Sequence, residues 1–398
     1  MRNFNDGHTR SGINKFISQY ELTFSQLQHI IGRKKARWEK ERSSMREFDY
    51  HKLTERTWDN EILSYVAQIH EHKGRQELFL KQKPVELSRL VEIAKIQSTE
   101  SSNRIEGIIT TSPRLKQLMS DKTTPRNRDE EEILGYRNVL NLVHENYNAI
   151  PARPNYILQM HRDLLKYTSF SYGGSFKTTP NEIDMTLASG ERVTLFRPLE
   201  PYKTPDAIQN ICDSFQKELA LGEVDPLILI PCFILDFLCI HPFNDGNGRM
   251  SRLLTLLLLY RSGYIVGQYI SIEKAIADTK ENYYKVLAQA DQDWHTGKND
   301  PKPFIKYMLG IILGCYREFE ERLTLAEKSG PRSTAYDVVR EYAMNHIGTF
   351  TKQNALAGCP SLGSSSVEAA LKKLVQDGTL TRLGSGRKTH YVRSDALE

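Results

Sequence analysis

The sequence is poor in the features by which several common classes of protein are identified. It has no C-x-x-C pair and an odd number of cysteines, which argues against a disulfide framework or a zinc site and indicates a reducing cytoplasm. No apolar run approaches the roughly 20 residues of a membrane span, and the N-terminus shows no apolar signal region. The five cysteines are Cys212, Cys232, Cys239, Cys315 and Cys359.

Two familiar phosphate-binding loops are also missing, since the chain has neither G-x-x-x-x-G-K-[S/T] nor a strand–turn–helix G-x-G-x-x-G. Charge is not one-sided either: 54 Lys and Arg against 49 Asp and Glu leave a net +5, which does not indicate nucleic-acid binding. A basic run in residues 33–42 is laced with Glu39 and Glu41, and this favours a solvated helix face over a nucleic-acid contact. The length of 398 residues predicts two or three domains.

The stretch from His241 to Arg252, HPFNDGNGRMSR, lies between two apolar runs, residues 227–240 and 250–260. Each run is long enough for a buried helix of about three turns. The stretch therefore predicts a loop between two core helices that continues into the first turn of the second helix.

This loop concentrates side chains that suit phosphate chemistry. His241 has an imidazole that titrates near neutrality, and Asp245 offers a hard oxygen ligand. Gly246 and Gly248 flank Asn247, so backbone N–H groups at a helix N-terminus can approach an anion closely. Asp245 is the only carboxylate in the segment, so the spacing of a calcium loop is absent.

Arg249 and Arg252 follow three positions apart and are therefore neighbours on one helical face. Any one of these residues alone is ordinary at a turn between helices. Together, a base, a metal ligand, an anion nest and two guanidiniums suit a polyphosphate held on Mg²⁺.

The stretch resembles the signature of the Fic family, H-x-F-x-[D/E]-G-N-G-R-x-x-R, with every defining position filled. The resemblance covers roughly residues 84–316. It implies a mainly α fold, in which a helical core carries a β-hairpin flap. It also implies transfer of AMP from ATP, with Mg²⁺, to a Tyr, Thr or Ser hydroxyl of a target protein and of the enzyme itself.

In that reaction His241 is the base that accepts the hydroxyl proton, and Asp245 holds the metal. The backbone around residues 246–248, with Asn247, forms the anion nest, and Arg249 and Arg252 bind the outer phosphates. The resemblance also places a tyrosine of the pair Tyr283–Tyr284 beside the nucleotide, and Tyr284 is the one we expect there. Adjacent residues on a helix point in different directions, so one of the two is expected in the core and the other in solvent.

A second informative stretch is the predicted helix of residues 85–105. Ser102 and Glu106 lie four apart on one face, and a glutamate at the negative end of a helix dipole suggests a cationic partner elsewhere. The segment is similar to the inhibitory [S/T]-x-x-x-E-[G/N] motif of many Fic proteins. The resemblance implies that Glu106 pairs with Arg252, occupies the guanidinium that ATP needs, and keeps the enzyme auto-inhibited.

Residues 176–198 break the helical pattern and predict a hairpin with strands at 182–187 and 192–196. In the Fic resemblance this hairpin is the flap, and a target protein docks in extended form on residues 183–196. Lys177 stands where the family more often has arginine, and the hairpin is longer than usual. His161, in a predicted helix at 155–167, is interpreted as a structural histidine at a core margin with nothing catalytic nearby.

The predicted organisation is an N-terminal helical region (1–83), a Fic core (84–325) with its inhibitory helix (84–107) and flap (176–198), and a winged-helix-like domain (331–398). The last domain has nine Lys and Arg against six Asp and Glu, a charge of about +3. This leaves DNA contact open but favours a protein-interaction or dimerisation module. The remaining predicted helices span residues 59–73, 130–147, 205–221, 278–290, 304–325, 334–346, 351–357 and 364–376, and strands 379–383 and 389–393 form the wing.

Other functions remain compatible with the sequence. Fic-like sites also transfer UMP, phosphocholine or a phosphoryl group. The same residues, with Glu106 positioning water, suit removal of AMP from a modified protein. The chain also fits a DNA-binding regulator that uses a Fic domain as a nucleotide sensor. Family members often dimerise, but no residue locates an interface, and no membrane contact is expected.

Overall fold

The computed structural model describes residues 46–82, 84–120, 122–186, 192–328, 334–346, 348–359, 362–386 and 389–394. The basic run at residues 33–42 and most of the predicted N-terminal region therefore lie outside the described residues. The chain divides into two compact units. Among the described residues, one unit comprises 46–68, 95–267 and 271–312, and the other comprises 69–94, 268–270 and those between 313 and 394.

The described chain is mainly helical, as the sequence predicts. In chain order, the described α-helices between residues 60 and 328 are α1 (Asn60–Gln82), α2 (Pro84–Ile105), α3 (Ser112–Met119), α4 (Arg128–Asn146), α5 (Pro154–Leu164), α6 (Thr204–Leu221), α7 (Pro226–Ile240), α8 (Asn247–Arg261), α9 (Ile272–Asp278), α10 (Lys280–Ala290) and α11 (Lys302–Lys328). No helix among the described residues is long and apolar enough to cross a membrane.

The central pair of the first unit is α7 and α8, which pack against each other on either side of the signature loop. Asp225 caps α7 by accepting a hydrogen bond from the Leu227 N–H, and Pro226 occupies the first turn, where no backbone donor is needed. From Leu227 to Ile240 every side chain is buried. Because both helices are buried over nearly their whole length, they form the core, and the loop between them begins and ends at buried residues.

One charged residue, Asp236, lies inside the apolar helix α7, and both of its carboxylate oxygens have partners. It accepts hydrogen bonds from the Tyr50 hydroxyl at 2.9 Å and from the Trp294 indole N–H at 2.6 Å. The guanidinium of Arg46 lies 3.2 Å away. A buried carboxylate with three partners is a cross-link between distant segments of the chain.

The flap hairpin has the predicted strands, β1 (Ile183–Thr186) and β2 (Arg192–Phe196). They pair antiparallel, with Thr186 opposite Arg192 and Ile183 opposite Phe196, and a register irregularity lies between Ile183 and Asp184. The predicted turn at residues 188–190 lies outside the described residues, as does residue 187 at the end of the first predicted strand.

The second unit ends in α12 (Ala335–Asn345), α13 (Lys352–Gly358), α14 (Ser364–Gln376), β3 (Leu380–Leu383) and β4 (His390–Arg393). A capping box opens α12 at Thr334 and α13 at Thr351. The predicted elements are present, while their assignment to the winged-helix class stays a prediction. The sequence predicts that Ser364 caps α14, but this prediction was wrong. The N-cap is Gly363, which supplies no side-chain hydrogen bond.

Two further predictions were inaccurate. The helix expected at residues 278–290 begins only at Lys280, and Asp278 belongs to the preceding helix α9. Residues 294–303, expected to be a polar loop, begin with a 3₁₀ turn at Trp294–Thr296 whose indole is buried. The large aromatic side chain is held in the core by its hydrogen bond to Asp236.

The Asp236→Ala variant is expected to lower the free energy of unfolding by about 3 kcal/mol, because it leaves the buried Trp294 indole N–H and Tyr50 hydroxyl without their acceptor and removes the anion that faces Arg46. Urea unfolding of the full chain measures this loss. The exposed Asp213→Ala on α6 is the control and is expected to change stability by less than about 0.5 kcal/mol. Equal effects of the two substitutions would contradict the cross-link.

Candidate active site

His241 ends helix α7 in a left-handed conformation, with φ 51° and ψ 63°. Its ring Nδ1 lies 3.2 Å from the carbonyl oxygen of Leu238. Since a carbonyl oxygen only accepts, Nδ1 carries the ring hydrogen and Nε2 keeps its lone pair. A neutral imidazole held in this tautomer is suited to accept a proton.

The surroundings of His241 favour its neutral form. Burial lowers its pKa to about 4, and the positive charge of Lys177 acts in the same direction. Lys177 is itself buried; its ammonium donates to the carbonyl oxygen of Ile240 at 3.0 Å and to Asn181 Oδ1 at 2.8 Å, and burial lowers its pKa to about 7. At neutral pH the imidazole is therefore uncharged.

Asn181, which the sequence analysis did not single out, fastens the start of the flap to the loop. Its amide donates to the carbonyl oxygens of His241 at 3.3 Å and Phe243 at 3.1 Å. The backbone N–H of Lys177 also donates to the Pro242 carbonyl at 2.8 Å. No local pattern marks Asn181, because its partners are some 60 residues away in the sequence.

Within the loop, Asn247 acts as a clamp. Its side-chain oxygen accepts from the Phe243 N–H at 2.9 Å, and its side-chain nitrogen donates to the Phe243 carbonyl at 2.8 Å. Gly246 before it has φ 81°, a conformation that side chains rarely adopt, and it is the N-cap of α8. Thus the side chain of Asn247 shapes the anion nest by holding the loop backbone.

His161 lies directly against this loop. Its ring stacks on Phe243 with centroids 3.7 Å apart, Nδ1 accepts from the Gly174 N–H, and Nε2 lies 3.1 Å from the Asp245 carbonyl. The expectation of a structural histidine agrees with this packing, but the expectation that nothing catalytic lies nearby was wrong. Burial lowers the pKa of His161 to about 4, so the ring stays neutral.

Arg252 is buried, and its guanidinium meets both residues of the predicted inhibitory motif. Nε donates to the Ser102 hydroxyl at 2.8 Å, and Nη2 donates to the Ser102 carbonyl at 3.0 Å and to Glu106 Oε1 at 2.8 Å. A Cβ built on Gly248 would lie 2.2 Å from Glu106 Oε1. Glycine at 248 therefore gives the carboxylate the room to reach the arginine.

Arg249 is fully buried, and its Nη1 lies 2.6 Å from Glu132 Oε2 on α4. Its Nη2 lies 3.5 Å from Asp245 Oδ1, and its Nε has no hydrogen-bond partner among the described residues. Glu132 also accepts from Arg128 Nε at 2.7 Å. Glu132 and Arg128 could not be identified from the sequence. They lie where a charged connector meets acidic residues at the start of a helix, and such a pattern is typical of a solvated helix start.

Asp245 is about one third exposed, and its Oδ1 accepts from the Gly246 N–H at 2.6 Å. Arg128 Nη2 lies 3.5 Å from its Oδ2. No group of three or more His, Cys, Asp or Glu side chains in the described part of the chain forms a metal cage. One accessible carboxylate is nevertheless the donor set that Mg²⁺ uses when phosphates supply the other ligands, so Asp245 fits this role.

The tyrosine pair divides as the sequence predicts, with one ring buried and one in solvent. Tyr283 is buried, which raises the pKa of its phenol, while the charge of Arg252 acts to lower it. Tyr284, the expected nucleotide neighbour, is 38% exposed, and the Lys280 ammonium lies 5.8 Å from its ring centroid. Tyr283 is thus the member whose hydroxyl lies beside the α8 arginine.

Comparison with known proteins identifies the same segment. A model of the Fic/DOC family matches residues 151–259. The chain is 30% identical over 128 residues to a Fido domain-containing protein of Dictyostelium discoideum, a match that covers 31% of this chain and 85% of that protein. It is 28% identical over 152 residues to the protein adenylyltransferase fic-1 of Caenorhabditis elegans, 38% of this chain and 25% of that relative. The chain thus spans about a quarter of the length of this adenylyltransferase.

Solved structures give the same fold. A Fic family protein from Desulfovibrio desulfuricans G20 superposes with a TM-score of 0.55 at 22% identity, over 85% of this chain and 97% of that one. Fic-1 (residues 134–508) from Caenorhabditis elegans superposes with a TM-score of 0.53 at 20% identity, over 67% of this chain and 73% of that one. At these identities the likeness establishes the fold.

An NMR titration of the His241 ring, assigned by its loss in His241→Ala, is expected to show protonation near pH 4 and no change between pH 5.5 and 8. Lys177→Met keeps the length of the side chain and removes its positive charge, so it is expected to raise the pKa of His241. A midpoint near 6.5 in the wild type, the ordinary value for histidine, would contradict the assigned environment.

Proposed function

The chain belongs to the Fic/DOC family, and we propose that it is a protein adenylyltransferase that transfers AMP from ATP to a Tyr, Thr or Ser hydroxyl of a target protein and of itself. The observation that carries this proposal is the arrangement in one loop of a neutral His241, an accessible Asp245 and the buried Arg252. These are a base, a metal ligand and a phosphate-binding cation.

His241 Nε2 removes the proton of the attacking hydroxyl as the oxygen bonds to the α-phosphorus. The bond from that phosphorus to the bridging oxygen breaks, and pyrophosphate leaves with the electron pair. A base that is neutral at pH 7 is competent throughout the physiological range. The hydrogen bond from Nδ1 to the Leu238 carbonyl stabilises the imidazolium formed in this step.

The phosphates bind where the chain offers unpaired donors. Backbone N–H groups of residues 246–248 open helix α8, whose dipole favours an anion. The buried Nε of Arg249, which has no partner among the described residues, is directed to an outer phosphate, and Arg252 binds another when Glu106 is displaced. When bound, Mg²⁺ would be held by Asp245 and would neutralise charge on the α- and β-phosphates.

The resting enzyme is proposed to be inhibited by Glu106. Its carboxylate occupies Arg252 Nη2 at 2.8 Å and adds a negative charge where the γ-phosphate would lie. Displacing one charge-assisted hydrogen bond would weaken productive ATP binding on the order of 10–100-fold. The inhibition therefore needs no second protein.

A target protein is proposed to dock on residues 183–196, where a strand edge offers main-chain hydrogen bonds with little demand on sequence. For the C-terminal elements we propose a winged helix that serves protein interaction or dimerisation in preference to DNA binding. A reducing cytoplasm is the proposed location, supported by five buried cysteines that are all free thiols.

The test uses α-³²P-labelled ATP and Mg²⁺ with the wild type, Glu106→Gly, and Glu106→Gly/His241→Ala. Self-labelling is expected to rise about 10–100-fold in the single variant, because Arg252 becomes available to the nucleotide. It is expected to disappear in the double variant, which lacks the base. Autoradiography of the separated protein measures the label.

Labelled UTP and CDP-choline are run in parallel to test the other donors. An equal signal in wild type and Glu106→Gly would remove the inhibitory role of Glu106, and full labelling without His241 would eliminate the mechanism. Loss of label from a modified target on incubation would instead indicate removal of AMP. No label from any donor, even with cell lysate added, would overturn the transferase proposal.

A further inference from the structure

The part of α2 that carries the proposed inhibitory motif is buried through polar side chains. Between residues 98 and 106 the buried side chains are Ser98, Thr99, Ser101, Ser102, Asn103 and Ile105, of which only the last is apolar. A helix face of this kind gains little from the hydrophobic effect. Its position must therefore depend on specific hydrogen bonds.

These hydrogen bonds lead to one carboxylate, Glu273 on α9, which is completely buried. Oε2 accepts from the Ser98 hydroxyl at 2.8 Å and lies 3.3 Å from the Ser271 hydroxyl. Oε1 accepts from the Tyr136 hydroxyl at 3.0 Å. Neither the Fic signature nor the inhibitory motif includes Glu273.

The other end of this helix face meets the buried arginine. Arg252 Nε can only donate, so the Ser102 hydroxyl accepts from it at 2.8 Å. Tyr136 donates to Glu273, and Ser102 acts to lower the pKa of the same phenol, which burial raises. A buried carboxylate and a buried guanidinium thus bind two serines on one face of α2.

Ser98, Ser102 and Glu106 lie at successive intervals of four residues, on one face of α2. Ser98 bonds to Glu273 and Ser271, Ser102 bonds to Arg252, and Glu106 bonds to Arg252. The first two contacts hold the helix, and the third is the contact that blocks the arginine. Loss of the first contact would therefore loosen the position of Glu106, two helical turns away.

We propose that Glu273, oriented by Tyr136, is a positioning residue that anchors the inhibitory helix through Ser98 and so sets Glu106 against Arg252. The inference rests on the proposed function for its effect on catalysis. The predicted position of the helix does not depend on the proposed function, and it can be measured without substrate.

The first measurement is hydrogen–deuterium exchange of the nucleotide-free full chain. In Ser98→Ala the amides of residues 100–107 are expected to exchange about fivefold faster than in the wild type, which is the effect of one lost buried hydrogen bond. Ser101→Ala is the matched control, since it is an equally buried serine on the same helix that does not contact Glu273. Equal exchange in the two variants would overturn the proposal.

Self-labelling with ATP then tests the consequence for activity. Ser98→Ala is expected to raise the wild-type signal about fivefold and to add nothing in the Glu106→Gly background, where there is no carboxylate left to position. An increase or a loss of labelling in that background would overturn the proposal, because the contact would then act on the nucleotide site itself.

A second pair of variants makes the test independent of position 98. Tyr136→Phe removes the hydroxyl that orients Glu273 and is expected to behave as Ser98→Ala does. Tyr260→Phe removes another buried tyrosine hydroxyl, one on α8 that lies 3.3 Å from His144 on α4, and is expected to change neither exchange at residues 100–107 nor labelling. If Glu106→Gly transfers no label from any donor, the proposed function fails, and the exchange data still decide on the anchor.

Discussion

The interaction on which the site depends is the enclosure of the Arg252 guanidinium. A buried cation needs an anion and hydrogen-bond acceptors, since the cost of leaving one unpaired is several kcal/mol. In the structure Glu106 supplies the anion, and Ser102 supplies an acceptor from its hydroxyl and another from its carbonyl. A terminal phosphate would meet the same requirement, so in the proposed function a carboxylate and a nucleotide compete for one guanidinium. The proposed inhibitory contact and the proposed substrate contact satisfy the same buried charge.

The catalytic loop is rigid for a different reason: its backbone groups are bonded by side chains that come from far away in the sequence. Asn181 reaches two of its carbonyl oxygens, His161 reaches a third, and Asn247 closes the loop on itself. Rigid N–H groups and a fixed imidazole need no reorganisation when charge develops on the substrate. The two helices on either side contribute to the same end, because both are buried over nearly their whole length and so have no solvent-exposed face.

Much of the fold and half of the site could be predicted from the sequence, because both are local properties. Apolar runs predict α7 and α8, alternation predicts β1 and β2, and a twelve-residue signature groups His241, Asp245 and Arg252. Glu132, Asn181 and Glu273 could not be found in this way, since each acts on a partner distant in the sequence and has an ordinary local setting. The tyrosine pair shows the limit within a single helix: pattern predicts that Tyr283 and Tyr284 diverge, but only the neighbouring helices decide which one is buried beside Arg252.

The polar character of the inhibitory face follows from what the helix has to do. An apolar face would bind the core with a large and non-directional gain, and a nucleotide could not compete with it. Each hydrogen bond between buried groups contributes only a small net free energy. Because such bonds are directional, they nevertheless fix the orientation of the helix. Ser98 and Ser102 therefore hold Glu106 in register with Arg252 at little energetic cost to release. The proposed inhibition requires Glu106 to be accurately placed and weakly held, and two serines on one helix face, one of them bonded to a buried carboxylate, meet both conditions.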